Sequence, residues 1–534
     1  MNFAPFTLAA VRSFALADWI VLAGYGLLLL ITGWLVAHRK KNKNTADYFL
    51  AGRSMPAWAV TISFMATTLS AATFIGGPQQ SYRGNLTYLS SNIGNIIAAL
   101  IVAFLFIPAF YRKKVATVYE LLDHRAGPAA RIAASWSFMI GRVFASGSRL
   151  YIGSLAASLI VFGDIQSTHI ACGILAFTII GIFYTLVGGI ASVIWTDVIQ
   201  FIIFVAAALI AGIILLHRIP ISFDQIMTAL QHPNPHNPDA PSKLLLIDSG
   251  LSKHSINHTY TILSALFGFS LFGIAAYGTD QDLTQRMLTC KSARAGSKSM
   301  ISAILLNLPV TILFMAIGLL LFIYYQRPDI MGSASPAYQI DDTRKIFLSF
   351  IIREMPAGLS GLMMAGLFAA GLSSLNSALN AMASTFTNDI YKTYKPNRTE
   401  SHYLKIGKTA LIIWGIIVGS FAIICIAWQQ QGDTTLIDFA LGVMVFAYSG
   451  LLGVFLTVLL TKSRGNTKSI IAALIAGFLI TLAFQPVIRE NVFPESWQNF
   501  NPAFPWRMLI ASTISFMIAI SARSENPVSN NNEN

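Results

Sequence analysis

The chain reads as a succession of apolar runs of bilayer-crossing length, separated by shorter polar segments. A helix needs about 20 apolar residues to cross a membrane. Runs of that kind predict about 13 spans, near 17–37, 57–77, 87–110, 132–160, 169–187, 191–216, 259–277, 300–324, 357–387, 407–428, 436–461, 469–485 and 506–522. Two of them are written to interrupt a helix. The second carries Thr67, Thr68, Ser70 and Thr73 and then Gly76-Gly77-Pro78, and the seventh is punctuated by Gly268, Gly273 and Gly278. A helix in lipid satisfies its backbone internally, so this punctuation predicts broken helices whose hydroxyls and freed carbonyls replace water around a small cation or a polar solute. The plainer alternative is a Gly/Pro end to an ordinary span, with hydroxyls bonded back to their own helix. Interruptions five spans apart predict an inverted repeat of five plus five helices.

Composition agrees with this patterning. Hydrophobic residues at 55 % and charged residues at 11 % of 534 exclude a soluble globular chain and a disordered one; the mean hydropathy is +0.62. A net charge of +13 would point to nucleic acid in a soluble protein. Here it collects in alternate loops: with the first span running from outside to inside, about 23 of the 36 Lys and Arg fall on the cytoplasmic side and about 11 outside. The inner clusters are Arg39, Lys40, Lys41 and Lys43; Arg112, Lys113 and Lys114; Lys291, Arg294 and Lys298; and Lys392, Lys395 and Arg398. The expectation is a multi-pass protein of the plasma (inner) membrane, N-terminus outside and C-terminus cytoplasmic, partnered by the lipid bilayer and not by nucleic acid.

The chain divides into an N-terminal segment with an extra first span (1–56), a ten-helix core (57–461), two further spans (462–522) and a disordered tail (523–534). Residues 1–17 lack the pattern of a cleaved signal. Cys172, Cys290 and Cys425 imply no disulfide framework. His232, His236, His254 and His258 sit in a Pro-rich outer loop, about 217–257, at spacings that match no zinc pattern, and read as a solvated lid. Neither GxxxxGK[ST] nor a strand–GxGxxG–helix occurs, so an ion gradient rather than ATP is expected to drive any pumping.

Three groups carry candidate chemistry. Ala370, Ser373, Ser374 and Ser377 fall at i, i+3, i+4 and i+7, one helical face of small and hydroxyl-bearing residues. Such a face is either close helix packing or half of a site for a hard cation that wants oxygen ligands. Asp197, near the inner end of its span, is either a functional intramembrane carboxylate with a cationic partner or an interfacial acid wetted from the cytoplasm. Arg142 and Arg149, seven apart, share a face inside a span; one could hold an anionic solute through its planar fork while the other pairs with a protein group.

Several motifs in order are similar to the sodium:solute symporter family: Asp47-Tyr-Phe-Leu-Ala-Gly-Arg-Ser-Met-Pro-Ala-Trp58 leading into Ala66-Thr-Thr-Leu-Ser70, Gly188-Gly-Ile-Ala-Ser-Val-Ile-Trp-Thr-Asp-Val-Ile-Gln200, Gln285-Arg286, and Phe368-Ala-Ala-Gly-Leu-Ser-Ser374 through Asn388-Asp-Ile-Tyr391. The resemblance implies an all-α integral membrane protein with the leucine-transporter fold, one helix added before the five-plus-five inverted repeat, and Na⁺ as the coupling ion. It implies a Na⁺ site from main-chain oxygens of Ala66, Leu69 and Ala370 and the hydroxyls of Ser373 and Ser374, with Asp197 and Ser377 at a second Na⁺ site. The sialic acid symporters are the subgroup it most resembles, through Ala-Thr-Thr-Leu-Ser followed by Thr-Phe. They imply Thr68, Ser70, Thr73 and Asn92 on the solute, with an arginine, Arg142 or Arg149, for its carboxylate.

The expectation is therefore a Na⁺-coupled symporter importing a small polar organic solute that bears a carboxylate, sialic acid-like or another organic anion, by alternating access. It is not expected to be an enzyme, because no cluster of His, Asp or Cys lies at membrane depth. A symporter for a neutral sugar is the alternative, and a membrane solute sensor on the same scaffold is a lesser one. A monomer is compatible with every reading.

Overall fold

The computed structural model describes residues 14–39, 44–235, 237, 240–252, 255–336, 338, 340–430, 434–498 and 500–524. Residues 1–13, Lys40, Lys41, Lys43, His236, His254 and the tail beyond Ser524 lie outside them. Every predicted apolar run has a helical counterpart. Among the described residues nine helices are long and apolar enough to cross a membrane, two bent pairs meet that test together, and two shorter apolar helices complete the set.

In chain order these are α1 (Leu16–Arg39), the pair α2 (Ala57–Thr68) and α3 (Ala71–Arg83), α4 (Leu86–Arg112), α5 (Glu120–Phe162), α6 (Ser167–Leu186) and α7 (Gly189–Arg218). There follow the shorter α8 (Ser264–Gly278) with α9 (Gln281–Leu288), then α10 (Ala293–Gln326), α11 (Leu359–Tyr394), α12 (Glu400–Gln430), the pair α13 (Leu436–Gly442) and α14 (Val445–Leu460), the shorter α15 (Thr467–Ala483), and α16 (Phe504–Ser521).

The first interruption falls earlier than its Gly-Gly-Pro triplet. Leu69 is extended (φ −88°, ψ 103°) and so is Ser70 (φ −114°, ψ −178°), and α2 and α3 meet at 58°. Gly76, Gly77 and Pro78 lie inside α3 instead. The reason is packing: the two glycines let α3 press against Ile437 and the Phe314 side chain. The second interruption falls at Thr279-Asp280, where Asp280 is extended (φ −93°, ψ 115°) and its carboxylate accepts from the Asp282 N–H at 2.9 Å.

Close approaches set the relative heights of the helices. Gly189, at φ +60°, turns α6 into α7, and a Cβ there would stand 2.6 Å from the Tyr48 carbonyl oxygen. Gly318 of α10 lies against Pro78 and Ser81 of α3 so closely that a methyl group has no room. The α11 helix packs along the α6–α7 pair, while α2 lies between that pair and α10. Helices α14, α15 and α16 pack on one another.

Helix α1 leans on the α6–α7 pair and on α11, leaving Leu16, Ile20, Leu30 and Trp34 exposed, as a lipid-facing helix does. Its Asp18 is buried and accepts from the Gly358 and Gly361 N–H groups at 2.7 and 2.8 Å and from the Ser360 hydroxyl at 2.8 Å. The carboxylate thereby satisfies the first turn of α11, where helix donors have no partner of their own. The loop after α7, expected to be a solvated lid or loop, holds a helix, Phe223–Gln231, and buries Lys243, whose Nζ donates to the Tyr82 carbonyl at 2.7 Å over the Phe322 ring.

Candidate ion and solute site

The break in the second span leaves backbone oxygens without helical partners next to the hydroxyl face of α11. Ala370, Ser373, Ser374 and Ser377 are all buried on that face, and α11 packs against α2. The Ser374 hydroxyl meets the Thr67 carbonyl at 3.5 Å, and Ser373 donates to Asp197 Oδ1 at 2.5 Å. Ala66 and Leu69 are buried beside Thr67 in the chain. These are neutral, hard oxygen donors in a dry setting, which suits Na⁺. Thr67 and Thr68 use their own hydroxyls as the plainer reading foresaw, donating back to Ser63 at 2.9 Å and to Phe64 at 3.0 Å.

Asp197 is not wetted from one side. It is fully buried and accepts from Ser63 at 2.5 Å and from Arg286 Nη2 at 3.2 Å, so its cationic partner is Arg286. The Ser377 hydroxyl turns back to the Ser374 carbonyl at 3.1 Å rather than to Asp197. Arg286 also pairs with Asp282 at 3.0 Å, and Asp282 with Arg142 Nη1 at 3.1 Å. Arg142 Nη2 donates to Asp280, which accepts from the Tyr448 hydroxyl at 2.6 Å.

Against the break itself lies a cavity of about 120 Å³, whose wall includes Thr67 and Leu69. The structure brings Thr68, Thr73, Asn92, Arg142 and Arg149 onto its wall, together with Asn307, whose Nδ2 donates to Thr68 at 2.9 Å. Tyr88, Phe269, Phe272 and Tyr277 supply its apolar surfaces. Ser70 is the exception among the predicted solute residues. It is buried as the cap of α3, accepting from the Ala72 N–H at 3.3 Å while Thr73 accepts from the Ser70 N–H at 3.4 Å, because an extended residue before a helix is where a hydroxyl satisfies the orphan donors.

The two arginines differ in their partners. Arg142 is buried between two carboxylates, whereas half-buried Arg149 has no carboxylate partner among the described residues; its Nη2 lies 3.5 Å from the Met444 sulfur.

A model of the sodium:solute symporter family matches residues 48–477. The chain belongs to this family. It is similar to the sodium/sialic acid symporter SiaT of Proteus mirabilis, 29 % identical over 476 residues that cover 89 % of this chain and 90 % of that one. The sodium/sialic acid symporter NanT of Aliivibrio fischeri is 29 % identical over 487 residues, 90 % of each chain. Among solved structures, a Na⁺-coupled sialic acid symporter in a substrate-bound outward-open state superposes with a TM-score of 0.78 at 27 % identity, over 97 % of this chain and 100 % of that one.

This sodium:solute symporter is a multi-pass membrane protein with the leucine-transporter fold, and Na⁺ is its coupling ion. The functional candidates that the sequence reading missed are Ser63, Asn307, Asp280 and Asp282. A signal for the last two was present: they are acids beside an intramembrane helix break, the same expense that singled out Asp197.

Proposed function

We propose that this symporter imports a sialic acid or a close carboxylate-bearing analogue together with Na⁺, and that Arg149 binds the carboxylate. The observation that carries this reading is a guanidinium on the cavity wall with no carboxylate partner among the described residues, in a site that also offers hydroxyls, amides and aromatic rings. A planar fork of donors recognises a carboxylate with two parallel hydrogen bonds. Thr68, Thr73, Asn92 and Asn307 offer the hydroxyl and amide partners that a polyhydroxylated acid needs. The sialic acid symporters among its relatives support the same solute class.

In this reading Na⁺ is held by the carbonyls of Ala66, Leu69 and Ala370 and the hydroxyls of Ser373 and Ser374, with Asp197 beside it. Ion binding bridges α2 to α11 and steadies the break that forms the cavity floor. The transport core is 57–461, flanked by 1–56 and 462–522 and a tail at 523–534. The N-terminus lies outside and the C-terminus in the cytoplasm of the plasma membrane, the solute passes unchanged, and a monomer suffices.

The test is the melting temperature of the purified protein with sialic acids, neutral sugars, amino acids and short carboxylates, each in Na⁺ and in choline. A sialic acid that stabilises only in Na⁺ supports the reading. Stabilisation by a neutral sugar and by no acid overturns it.

A further inference from the structure

Five charged side chains form one continuous buried chain: Asp280 with Arg142, Arg142 with Asp282 at 3.1 Å, Asp282 with Arg286 at 3.0 Å, and Arg286 with Asp197 at 3.2 Å. None of the five is more than 2 % exposed. Three carboxylates share two guanidiniums, so the ionised chain holds one negative charge in excess, away from water. Such a charge is costly until a cation balances it. Among the described residues Arg142 Nε is a buried donor with no hydrogen-bond partner, and Asp282 Oδ2 a buried acceptor with none.

The two ends of the chain border two different sites. Asp197 accepts from Ser373, a hydroxyl assigned above to Na⁺, and Arg142 lines the solute cavity. We propose that this chain of charges carries the coupling between ion and solute, with Asp282 and Arg286 as positioning residues that touch neither. The inference rests on the Na⁺ site and cavity of the proposed function.

A cation beside Ser373 supplies the missing positive charge. Pairing then becomes one to one: the ion with Asp197, Arg286 with Asp282, Arg142 with Asp280. Asp282 is released from Arg142, and Arg142 turns one edge of its fork to the cavity, where it joins Arg149 in attracting an anion. Without the ion both guanidiniums are held between carboxylates, and the solute meets a less positive wall. Linkage requires the reverse effect as well: an anion that engages Arg142 tightens the ion.

The charge count makes a directional test. Asp282→Asn removes the excess charge, so the variant needs no ion to balance the chain. Affinity for N-acetylneuraminic acid is measured by titration calorimetry on the purified full-length protein in NaCl and in choline chloride. The ratio of the two dissociation constants is expected to fall at least tenfold in Asp282→Asn, mainly through tighter binding in choline. The variant is also expected to melt higher than wild type in choline with no solute. Asp282→Glu, which keeps the charge, retains the wild-type ratio, and Asp280→Asn repeats the Asn result. An unchanged ratio, an equal loss of affinity in both salts, or failure of both Asn variants to fold overturns the proposal. If wild type binds no sialic acid in either salt, the solute assignment fails instead. The coupling claim is then read from melting alone, where the Na⁺-induced rise must be smaller in Asp282→Asn than in wild type.

Discussion

The Ser373 hydroxyl donates to Asp197 Oδ1 at 2.5 Å, which joins the small-residue face of α11 to the buried carboxylate of α7. A hydroxyl with its proton committed to a carboxylate has its lone pairs free for a cation. Ser373→Ala and Ser374→Ala are each expected to raise the Na⁺ concentration for half-maximal uptake by about tenfold, the effect of losing about 1.5 kcal/mol of contact to a charged group. Uptake into proteoliposomes across a Na⁺ series checks this, and an unchanged midpoint in both variants removes the ion site from α11.

Arg149 and Arg142 are expected to fail differently. Arg149→Ala abolishes binding of a carboxylate-bearing solute and leaves the melting temperature near wild type, since no protein carboxylate is orphaned. Arg142→Ala strips Asp280 and Asp282 of a shared partner and costs about 3–5 kcal/mol of stability, the usual result of breaking a buried ion pair from one side. Calorimetry with the solute and melting without it separate the two, and equal destabilisation by both removes the distinction.

Asp18→Ala leaves the Gly358 and Gly361 N–H groups without their acceptor and the Ser360 hydroxyl with only the Pro356 carbonyl at 3.3 Å. The cost of losing such a cap is about 2 kcal/mol, and Asp18→Asn, which keeps one acceptor oxygen, recovers part of it. Thermal melts of the purified variants in one detergent read the difference; an Ala variant as stable as wild type shows that α11 does not depend on this cap.

Lys243 gives the loop after α7 a pH dependence. Burial pushes its ammonium down to about 8 from the ordinary 10.5. Between those values the unfolded chain binds more protons than the folded one, so this group makes stability rise with pH across that window and adds no slope below it. Lys243→Met is expected to remove the rise between pH 8 and 10, seen by comparing melting curves of the two proteins. A wild-type slope no steeper than that of Lys243→Met overturns it.

The helices were legible because lipid enforces a simple code: every run of apolar residues long enough to cross became one, and the hydroxyl-rich punctuation of the second span did announce a break. Its position, at Leu69-Ser70, is set among the hydroxyls and not at the glycines. Gly76-Gly77-Pro78 looks like a helix stop in one dimension, yet the glycines serve the contact with Ile437 and Phe314, which no local pattern displays. The same limit hid the partner of Asp197. Arg286 stands 89 positions away in sequence and reaches it only through the second broken helix. The resemblance to the sialic acid symporters puts Ser70 on the solute, while the backbone's demand for a cap turns it inward. Charges that share partners across three helices leave no periodic trace in the chain.

The clamp between Asp18 and the start of α11 also has a dimension in time. Its two halves lie 340 residues apart, and a ribosome adds about 5–20 residues each second. The first helix therefore enters the bilayer tens of seconds before the glycines that will receive its carboxylate exist. For that interval α1 stands without the partner that its carboxylate meets in the folded protein, so the clamp closes only after the start of α11 has been made.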